Sequence, residues 1–338
     1  MLAALSIRGS HMRRRDFTAA LLTLTFSSVA GAQQRERQRH IGVLTVGTAE
    51  DQVKIGQIPA FIQRLRELGW AEGQNIAIEY RFPAGQPERI RADARELVEL
   101  QPDVILSTGG PALTALLDRT RTIPIIFTNI TEPVSSGFVA NLAHPGGNVT
   151  GFSVQEDAIA GKWLELLKTI APQVTRALVL TEADSRPQML MRDAVAAAAP
   201  AVGVILTTLA IHNLAEVERG IESFVHEPGG GLVVPPNGVT TPSREQIFAL
   251  ATHYRLPAIY SYPFFGRGGG LISYGVDTTA QFREAAVYVD RVLRGEKPGD
   301  LPVQLPTKFV LVINMRAASA LGLVVPEPLL GRADEVIE

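Results

Sequence analysis

The stretch Pro102 to Leu116, PDVILSTGGPALTAL, decides the fold class of this chain. An apolar run, Val104 to Leu106, ends in Ser107-Thr108-Gly109-Gly110, and Pro111 then opens an alanine- and leucine-rich segment. This order predicts a buried strand, a glycine turn and a helix, because proline at the first helical position loses no needed donor. The free N–H groups at such a helix start attract a carboxylate or phosphate. The glycines would also suit a turn with no ligand, so both interpretations stay open here.

Short apolar runs alternate with amphipathic segments on both sides of this stretch. Five strands are predicted up to residue 153, and the segments between them are helices and turns, including a short helix over 137–142. This alternation predicts a parallel sheet with right-handed crossovers. A second cycle of about five strands follows. A strand, a helix and another strand are left over after these two cycles, and a short helix is expected over 329–336. The extra elements predict that the chain recrosses between two lobes through a hinge of more than one strand. The predicted fold class is therefore α/β, with parallel central sheets flanked by helices.

Composition excludes several classes of function. The chain has 338 residues, 46% apolar and 20% charged, with a formal net charge of −2. Its mildly acidic body argues against nucleic acid or an anionic membrane as the partner. The absence of cysteine excludes disulfides, thiolate zinc sites and cysteine nucleophiles, and the six histidines show no ligand-like pairing. We therefore expect neither a metal site nor a cofactor.

Residues 1–32 have the pattern of a signal peptide and leader rather than part of the fold. A cluster of arginines is followed by the apolar run Ala19 to Val29 and by Ala30-Gly31-Ala32, a small-x-small cleavage pattern. Arg14-Arg15-Asp16-Phe17 also resembles a twin-arginine export signal. The apolar run falls short of the roughly 20 residues of a spanning helix. We expect an exported protein without stable membrane insertion, starting near Gln33.

The carboxyl ends of the predicted strands are the candidate ligand contacts, because open parallel α/β sheets bind ligands there. Hydroxyls, amides and exposed N–H groups dominate these positions, which suits hydrogen bonding to a small polar solute. At any single position, capping of the next helix is an alternative that is at least as probable as ligand contact. The candidates are Gly47, Thr48, Thr108, Gly109, Gly110, Asn129, Thr131, Asp184, Asn237, Tyr260, Tyr274 and Asp277.

Five aromatic residues fall between Tyr260 and Tyr274, and rings beside a cleft would stack on a flat or apolar ligand. Phe264 and Phe265 are better interpreted as packing the hinge. If the ligand is a zwitterion, Thr108, Gly109 and Gly110 are the candidates for its carboxylate. Its ammonium would need an anion, for which Asp277, Asp184 and Glu132 are the candidates.

Eight blocks of the sequence, in matching order and spacing, carry a resemblance to a known family. They are IGVLTVG, RLRELGWAEGQNIAIEYRF, LQPDVILSTGGPALTAL, IPIIFTNITEPVSSGFVANLAHPGGNVTGFS, GKWLELLKTIAP, GGLISYGVD, YVDRVLRGEKPGDLPVQLPTKFVLVINMRAASALGL and LLGRADEVIE. Together they resemble the ABC transporter substrate-binding protein family that includes TrpX-like proteins. The resemblance runs from about His40 to the C-terminus.

The resemblance implies a type 1 periplasmic-binding fold, in which two Rossmann-like lobes joined by three crossovers hold the ligand between them. It places residues 40–153 and about 275–302 in an N-terminal lobe, and residues 154–274 and about 303–338 in a C-terminal lobe. It also implies a periplasmic monomer that delivers a small solute to an ABC permease and ATPase. TrpX-like members are associated with aromatic amino acids, which agrees with the aromatic cluster.

An enzyme is the main alternative, and the sequence offers little for it. Neither a G-x-S-x-G elbow, a Walker loop nor H-E-x-x-H occurs, and the glycines of Gly266 to Gly270 precede a strand rather than follow one. We therefore expect no enzymatic activity. An enzyme of the same α/β class acting on a small carboxylate, or a periplasmic ligand sensor, remains the alternative. A transcriptional regulator of this fold would need a helix-turn-helix before Ile41, where the export signal lies.

Overall fold

Two β-sheets organise the chain in the computed structural model, which describes residues 38–338 apart from Gln155 and Asp184. Residues 39–338 form one compact unit. The predicted signal peptide and leader, residues 1–32, lie outside the described residues. We call the five-stranded sheet and the helices packed on it lobe 1, and the seven-stranded sheet and its helices lobe 2.

The lobe 1 sheet has the strand order β2-β1-β3-β4-β5, and all of its pairings are parallel. Valine and isoleucine dominate its central strands, and β3 is buried along its whole length, as expected for a sheet covered on both faces. Its strands are β1 (Arg39–Leu44), β2 (Ile76–Arg81), β3 (Val104–Thr108), β4 (Ile125–Ile130) and β5 (Val149–Ser153).

The lobe 2 sheet has the order β12-β11-β10-β9-β8-β6-β7. It is parallel except for the pairing of β10 with β11. Its strands are β6 (Arg176–Glu182), β7 (Ile205–Ile211), β8 (Gly230–Val234), β9 (Ala258–Tyr260), β10 (Ile272–Val276), β11 (Phe309–Asn314) and β12 (Glu335–Ile337).

Twelve helices are described along residues 38–338, and they cover both faces of each sheet, which gives each lobe two apolar core clusters. None of the described helices is long and apolar enough to cross a membrane. The helices are α1 (Ala49–Ile55), α2 (Gln57–Glu67), α3 (Pro87–Glu99), α4 (Gly110–Leu117), α5 (Glu156–Ile170), α6 (Arg186–Ala198), α7 (Leu214–Phe224), α8 (Arg244–His253), α9 (Pro263–Arg267), α10 (Thr278–Leu293), α11 (Met315–Ala320) and α12 (Glu327–Leu330).

The chain crosses between the lobes three times. It leaves lobe 1 after β5, returns from β10 into α10, and goes back to lobe 2 between Gln304 and β11. Helix α10 packs in the lobe 1 core, where Phe282 and Val289 are fully buried. Buried glutamine side chains hold its start, since Gln57 donates to the Thr278 hydroxyl at 2.9 Å and Gln281 to the Ser153 carbonyl at 2.9 Å.

The α/β class with two helix-flanked, mainly parallel sheets and a multi-strand hinge is confirmed, with one antiparallel pair in lobe 2, and two local expectations are wrong. The antiparallel β10–β11 pair interrupts the parallel order of lobe 2, because the recrossing chain enters β11 from the opposite end. Residues 137–142 form turns instead of a helix, since Gly137 adopts a left-handed φ of +75°. The helix expected over 329–336 ends at Leu330, and β12 follows because Val336 pairs with Ile313 of β11.

Candidate functional site

The carboxyl end of β3 forms the turn that the sequence singles out. Gly109 has a φ of +84°, and its N–H donates to the Thr128 carbonyl at 3.1 Å. The hydroxyls of Thr108 and Thr128 lie 3.0 Å apart and are buried. Gly110 begins α4, and a Cβ built there would meet no atom within 4 Å. The turn therefore leaves open space in front of a helix start, where an anionic group would find N–H donors.

Asn129 is the most unusual residue of the same edge. It has a left-handed φ of +56°, at a shift of register between Phe127 and Ile130 in the pairing of β4 with β5. Its amide oxygen is buried and has no hydrogen-bond partner among the described residues. Backbone strain and an unpaired buried acceptor both reduce stability, so such features concentrate at functional sites.

Four of the buried side-chain oxygens that lack a partner in the described part of the chain lie at or just beyond strand ends. They belong to Thr45 after β1, Ser107 in β3, Asn129 in β4 and Ser261 after β9. The three hydroxyls can rotate to suit a new partner, and the amide oxygen of Asn129 can only accept a hydrogen bond. The carboxyl edges of both sheets thus retain hydrogen-bonding capacity that the fold does not use.

The loop after β1 is occupied mainly by local structure. The Thr48 hydroxyl accepts the Asp51 N–H at 3.1 Å and donates to the Asp51 carboxylate at 2.9 Å, so Thr48 caps α1. The Gly47 carbonyl accepts the Ala84 N–H at 3.3 Å. Thr131 is half-buried just past β4. Glu132 follows it, and its carboxylate accepts the Ser135 hydroxyl at 3.2 Å.

On lobe 2, Asn237 lies in the loop after β8 and its side chain is used locally. Its amide oxygen accepts the N–H groups of Val239 at 2.9 Å and Thr240 at 2.7 Å. Its amide nitrogen lies 3.4 Å from the Gln188 side-chain oxygen. This arrangement is an Asx turn, which fixes the shape of the loop and leaves the side chain little capacity for a ligand. Asp184, another of the predicted contacts, lies outside the described residues.

Asp277 has a similar structural task at the hinge. Its carboxylate accepts the N–H groups of Thr279 at 3.1 Å and Ala280 at 3.2 Å, which caps α10. Thr48 and Asp277 therefore cap helices, which is the alternative to ligand contact considered for such positions. Asn237 has a comparable local role in its Asx turn. These three side chains shape the strand ends, and a direct ligand contact by them would compete with the bonds that they already make.

The aromatic cluster divides into core and partly exposed rings. Tyr260 is 1% exposed and stacks on Phe265 with ring centres 5.4 Å apart, while Phe248 packs edge-on at 5.1 Å. Burial raises the pKa of the Tyr260 hydroxyl. Because this ring is enclosed in the lobe 2 core, stacking on a solute would require repacking, and we leave Tyr260 out of the proposed site. Tyr274 is half-buried in β10 and stacks on Phe309 at 5.9 Å.

Sequence reasoning missed a carboxylate and an ion pair at this edge. Glu182, the last residue of β6, is half-buried, and burial raises the pKa of its carboxyl group against the lowering effect of a hydrogen bond from the Gly238 N–H. The sequence placed Glu182 at a strand end but gave no sign that it is half-buried without a counter-ion in the described part of the chain. That property depends on residues more than 50 positions away.

The missed ion pair joins the two lobes. Arg244, the first residue of α8 in lobe 2, donates to the carboxylate of Asp51 in α1 of lobe 1 at 2.8 Å. The exposed fractions of the two side chains are 8% and 19%. Arg244 also donates to the Thr241 carbonyl at 2.9 Å. The pair shows that the loops following β1 and β8 face each other across the boundary between the lobes.

Comparisons with known proteins identify the family and the fold. A family model described as ABC transporter substrate binding protein matches residues 49–337. A tyrosine-binding protein of Clostridioides difficile is 28% identical over 290 residues, which cover 85% of this chain and 82% of that protein.

Two solved structures are also similar along most of the chain. A conserved domain protein from Vibrio cholerae has a TM-score of 0.81 and 27% identity, covering 89% of this chain and all of that one. An ABC domain in complex with L-Trp from Streptococcus pneumoniae has a TM-score of 0.80 and 25% identity, with the same coverage. The fold is the type 1 periplasmic-binding fold.

Proposed function

The chain belongs to the ABC transporter substrate-binding protein family, and on that premise we propose that it is the exported solute-binding component of an ABC importer. In this proposal it carries an aromatic amino acid between its lobes in the periplasm and delivers it to a permease and ATPase. The export route proposed is the twin-arginine route. The observation that carries the proposal is the unused hydrogen-bonding capacity at two strand edges that face each other.

The nature of the solute is inferred from two relatives and from the site. One relative is described as tyrosine-binding and another was solved with L-Trp. We propose that the solute carboxylate meets the N–H of Gly110 at the start of α4, because the space beside Gly110 is open, while the Gly109 N–H stays bonded to the Thr128 carbonyl. The amide oxygen of Asn129, which has no partner among the described residues, is then available to a donor on the solute. Tyr274 is the aromatic side chain that we retain for stacking.

Lobe closure is the proposed mechanism. The open form exposes both strand edges, the solute bridges them, and the closed form is favoured because only there are the contacts of both lobes made. The Asp51–Arg244 pair supports this proposal, since a largely buried ion pair between lobes would be broken on opening. The remaining predicted contacts among the described residues are proposed to shape the strand ends around the solute. They are Gly47, Thr48, Thr131, Asn237 and Asp277.

Isothermal titration of the purified mature chain with L-tyrosine, L-tryptophan and L-phenylalanine tests the proposal. We expect saturable binding of at least one of them and no binding of glucose or glutamate. The solute recovered after overnight incubation should be chemically unchanged. Conversion into a product would favour the enzyme alternative, and a full amino-acid screen without any binding would refute the proposed cargo.

A further inference from the structure

Glu182 is a half-buried carboxylate whose charge none of the described residues compensates. It ends β6 and is half-buried. Among the described residues, a hydrogen bond from the Gly238 N–H opposes the effect of burial on the pKa of its carboxyl group. Gly238 permits this closeness, since a Cβ at that position would lie 2.7 Å from a Glu182 carboxylate oxygen. One neutral donor is a weak substitute for the water that the carboxylate loses on burial.

Within the described residues, no lysine, arginine or histidine forms an ion pair with Glu182. Arg244, the first residue of α8, follows the adjoining loop, and its guanidinium is engaged by Asp51 and by the Thr241 carbonyl. Buried charges are normally paired, so a carboxylate left without a cation by the fold is suited to a cation from outside.

The position of Glu182 indicates where that cation comes from. Glu182 accepts the N–H of Gly238, in the loop that runs from β8 to α8. The residue that ends this loop, Arg244, contacts Asp51 of lobe 1 at 2.8 Å. Glu182 therefore lies on the edge of lobe 2 that faces lobe 1, where the carboxyl ends of parallel strands hold ligands.

The chemistry of the position favours an organic ammonium over a metal ion. Calcium takes six to eight oxygen ligands and magnesium demands octahedral coordination. No group of three or more histidines, aspartates or glutamates with metal-binding geometry occurs among the described residues. One carboxylate with hydrogen-bonding neighbours matches the three N–H donors of a primary ammonium group.

We propose that Glu182 receives the protonated amino group of the transported solute and thereby selects amino acids over carboxylates that lack one. The inference rests on the proposed function, because it assigns a contact within the same interlobe site. Glu182 takes the place of Asp277 as the anion for the ammonium group, because the Asp277 carboxylate already accepts the N–H groups of Thr279 and Ala280 at the start of α10.

A comparison of two ligands on two proteins tests the assignment. The ligands are the tightest-binding aromatic amino acid and its deaminated analogue, for example L-tyrosine and 3-(4-hydroxyphenyl)propionate. The variant Glu182→Gln keeps the size of the side chain and removes its charge. We expect it to weaken amino-acid binding at least about tenfold, the scale of a hydrogen bond to a charged group, and to change binding of the analogue less than about threefold.

Two further variants complete the design. Glu182→Asp retains the charge and should bind the amino acid more tightly than Glu182→Gln does. Glu218→Gln removes an exposed carboxylate of α7 and should bind both ligands like the wild type. Unchanged amino-acid binding by Glu182→Gln, or an equal loss for both ligands, would overturn the assignment while leaving the proposed function intact. Failure of the wild type to bind any amino acid would overturn both.

Discussion

Breaking the ion pair between Asp51 and Arg244 should weaken solute binding without unfolding either lobe. The substitution Arg244→Gln removes the guanidinium and keeps most of the aliphatic contact. Asp51 is not stranded by this change, because its carboxylate still accepts the Thr48 hydroxyl at 2.9 Å and its side chain is 19% exposed. The main loss is therefore the attraction between the lobes.

The expected size follows from how far the pair is buried. Exposed ion pairs contribute about 0.2–1 kcal/mol, and hydrogen bonds to charged groups contribute about 1.5–3 kcal/mol. The Arg244 side chain is only 8% exposed, so the pair resembles the second class, less the cost of removing two charges from water. We take about 1.4 kcal/mol, which corresponds to a tenfold change in an equilibrium constant. If the unliganded protein is mostly open, the apparent Kd should rise by about that factor.

Two measurements check this expectation. Titration calorimetry gives the Kd of the wild type, of Arg244→Gln, of Asp51→Asn and of the double variant. This double-mutant cycle separates the Asp51–Arg244 coupling from the effect of losing the Arg244–Thr241 contact. Because the chain has no cysteine, Glu99→Cys and Glu222→Cys give unique label sites on exposed positions of α3 and α7. The interlobe distance between these labels should shift toward the open form in Arg244→Gln without ligand.

The matched control is an ion pair inside lobe 1. Arg39 contacts Asp103 at 2.9 Å, and the Asp103 side chain is 16% exposed, close to the value for Asp51. Arg39→Gln should leave the Kd and the label distance unchanged. The reasoning is refuted if Arg244→Gln binds the solute as tightly as the wild type. It is also refuted if the effects of Arg244→Gln and Asp51→Asn on the Kd simply add in the double variant, because the two side chains would then be uncoupled.

Three further outcomes are expected. Asn129→Gly should raise the Tm, because glycine adopts the left-handed φ of +56° without strain. The same change should weaken solute binding, because the unpaired amide oxygen is lost, and melting and titration curves check the two effects. Thr48→Val should cost about 1 kcal/mol in unfolding free energy through the lost cap of α1, measured by urea denaturation, and a Kd change above threefold would contradict a purely structural role. Burial raises the pKa of Glu182 above its unfolded value, so its charge destabilises the fold increasingly as the pH rises through the folded pKa. Glu182→Gln should therefore raise the Tm more at pH 8 than at pH 4, and an equal change at both pH values would exclude a charge effect.

Local patterns were sufficient to predict the architecture. Runs such as Val104–Leu106 and Ile125–Phe127 identify buried strands, and the helices between them require parallel crossovers. The same patterns predict the strand ends, because the residue after an apolar run is at the edge of the sheet. The turn at Gly109 and Gly110 could be located in this way, and so could Asn129, although nothing in the sequence indicated its left-handed backbone.

Which polar side chains are used by the fold and which stay available to a ligand could not be predicted from the sequence. Thr48 and Asp277 look like ligand contacts until the helices that they cap are placed, and Tyr260 looks accessible until Phe248 and Phe265 enclose it. Each decision depends on which neighbours satisfy a side chain first.

The sequence by itself determined the α/β class, the two lobes, the recrossing hinge and the strand ends, because these depend on periodicity within a dozen neighbouring residues. Only the tertiary structure decided that Arg244 contacts Asp51, 193 positions away, and that Glu182 has no cationic partner among the described residues. The physical reason is that charge compensation and burial are set by contacts between segments distant in the chain, which no local pattern encodes.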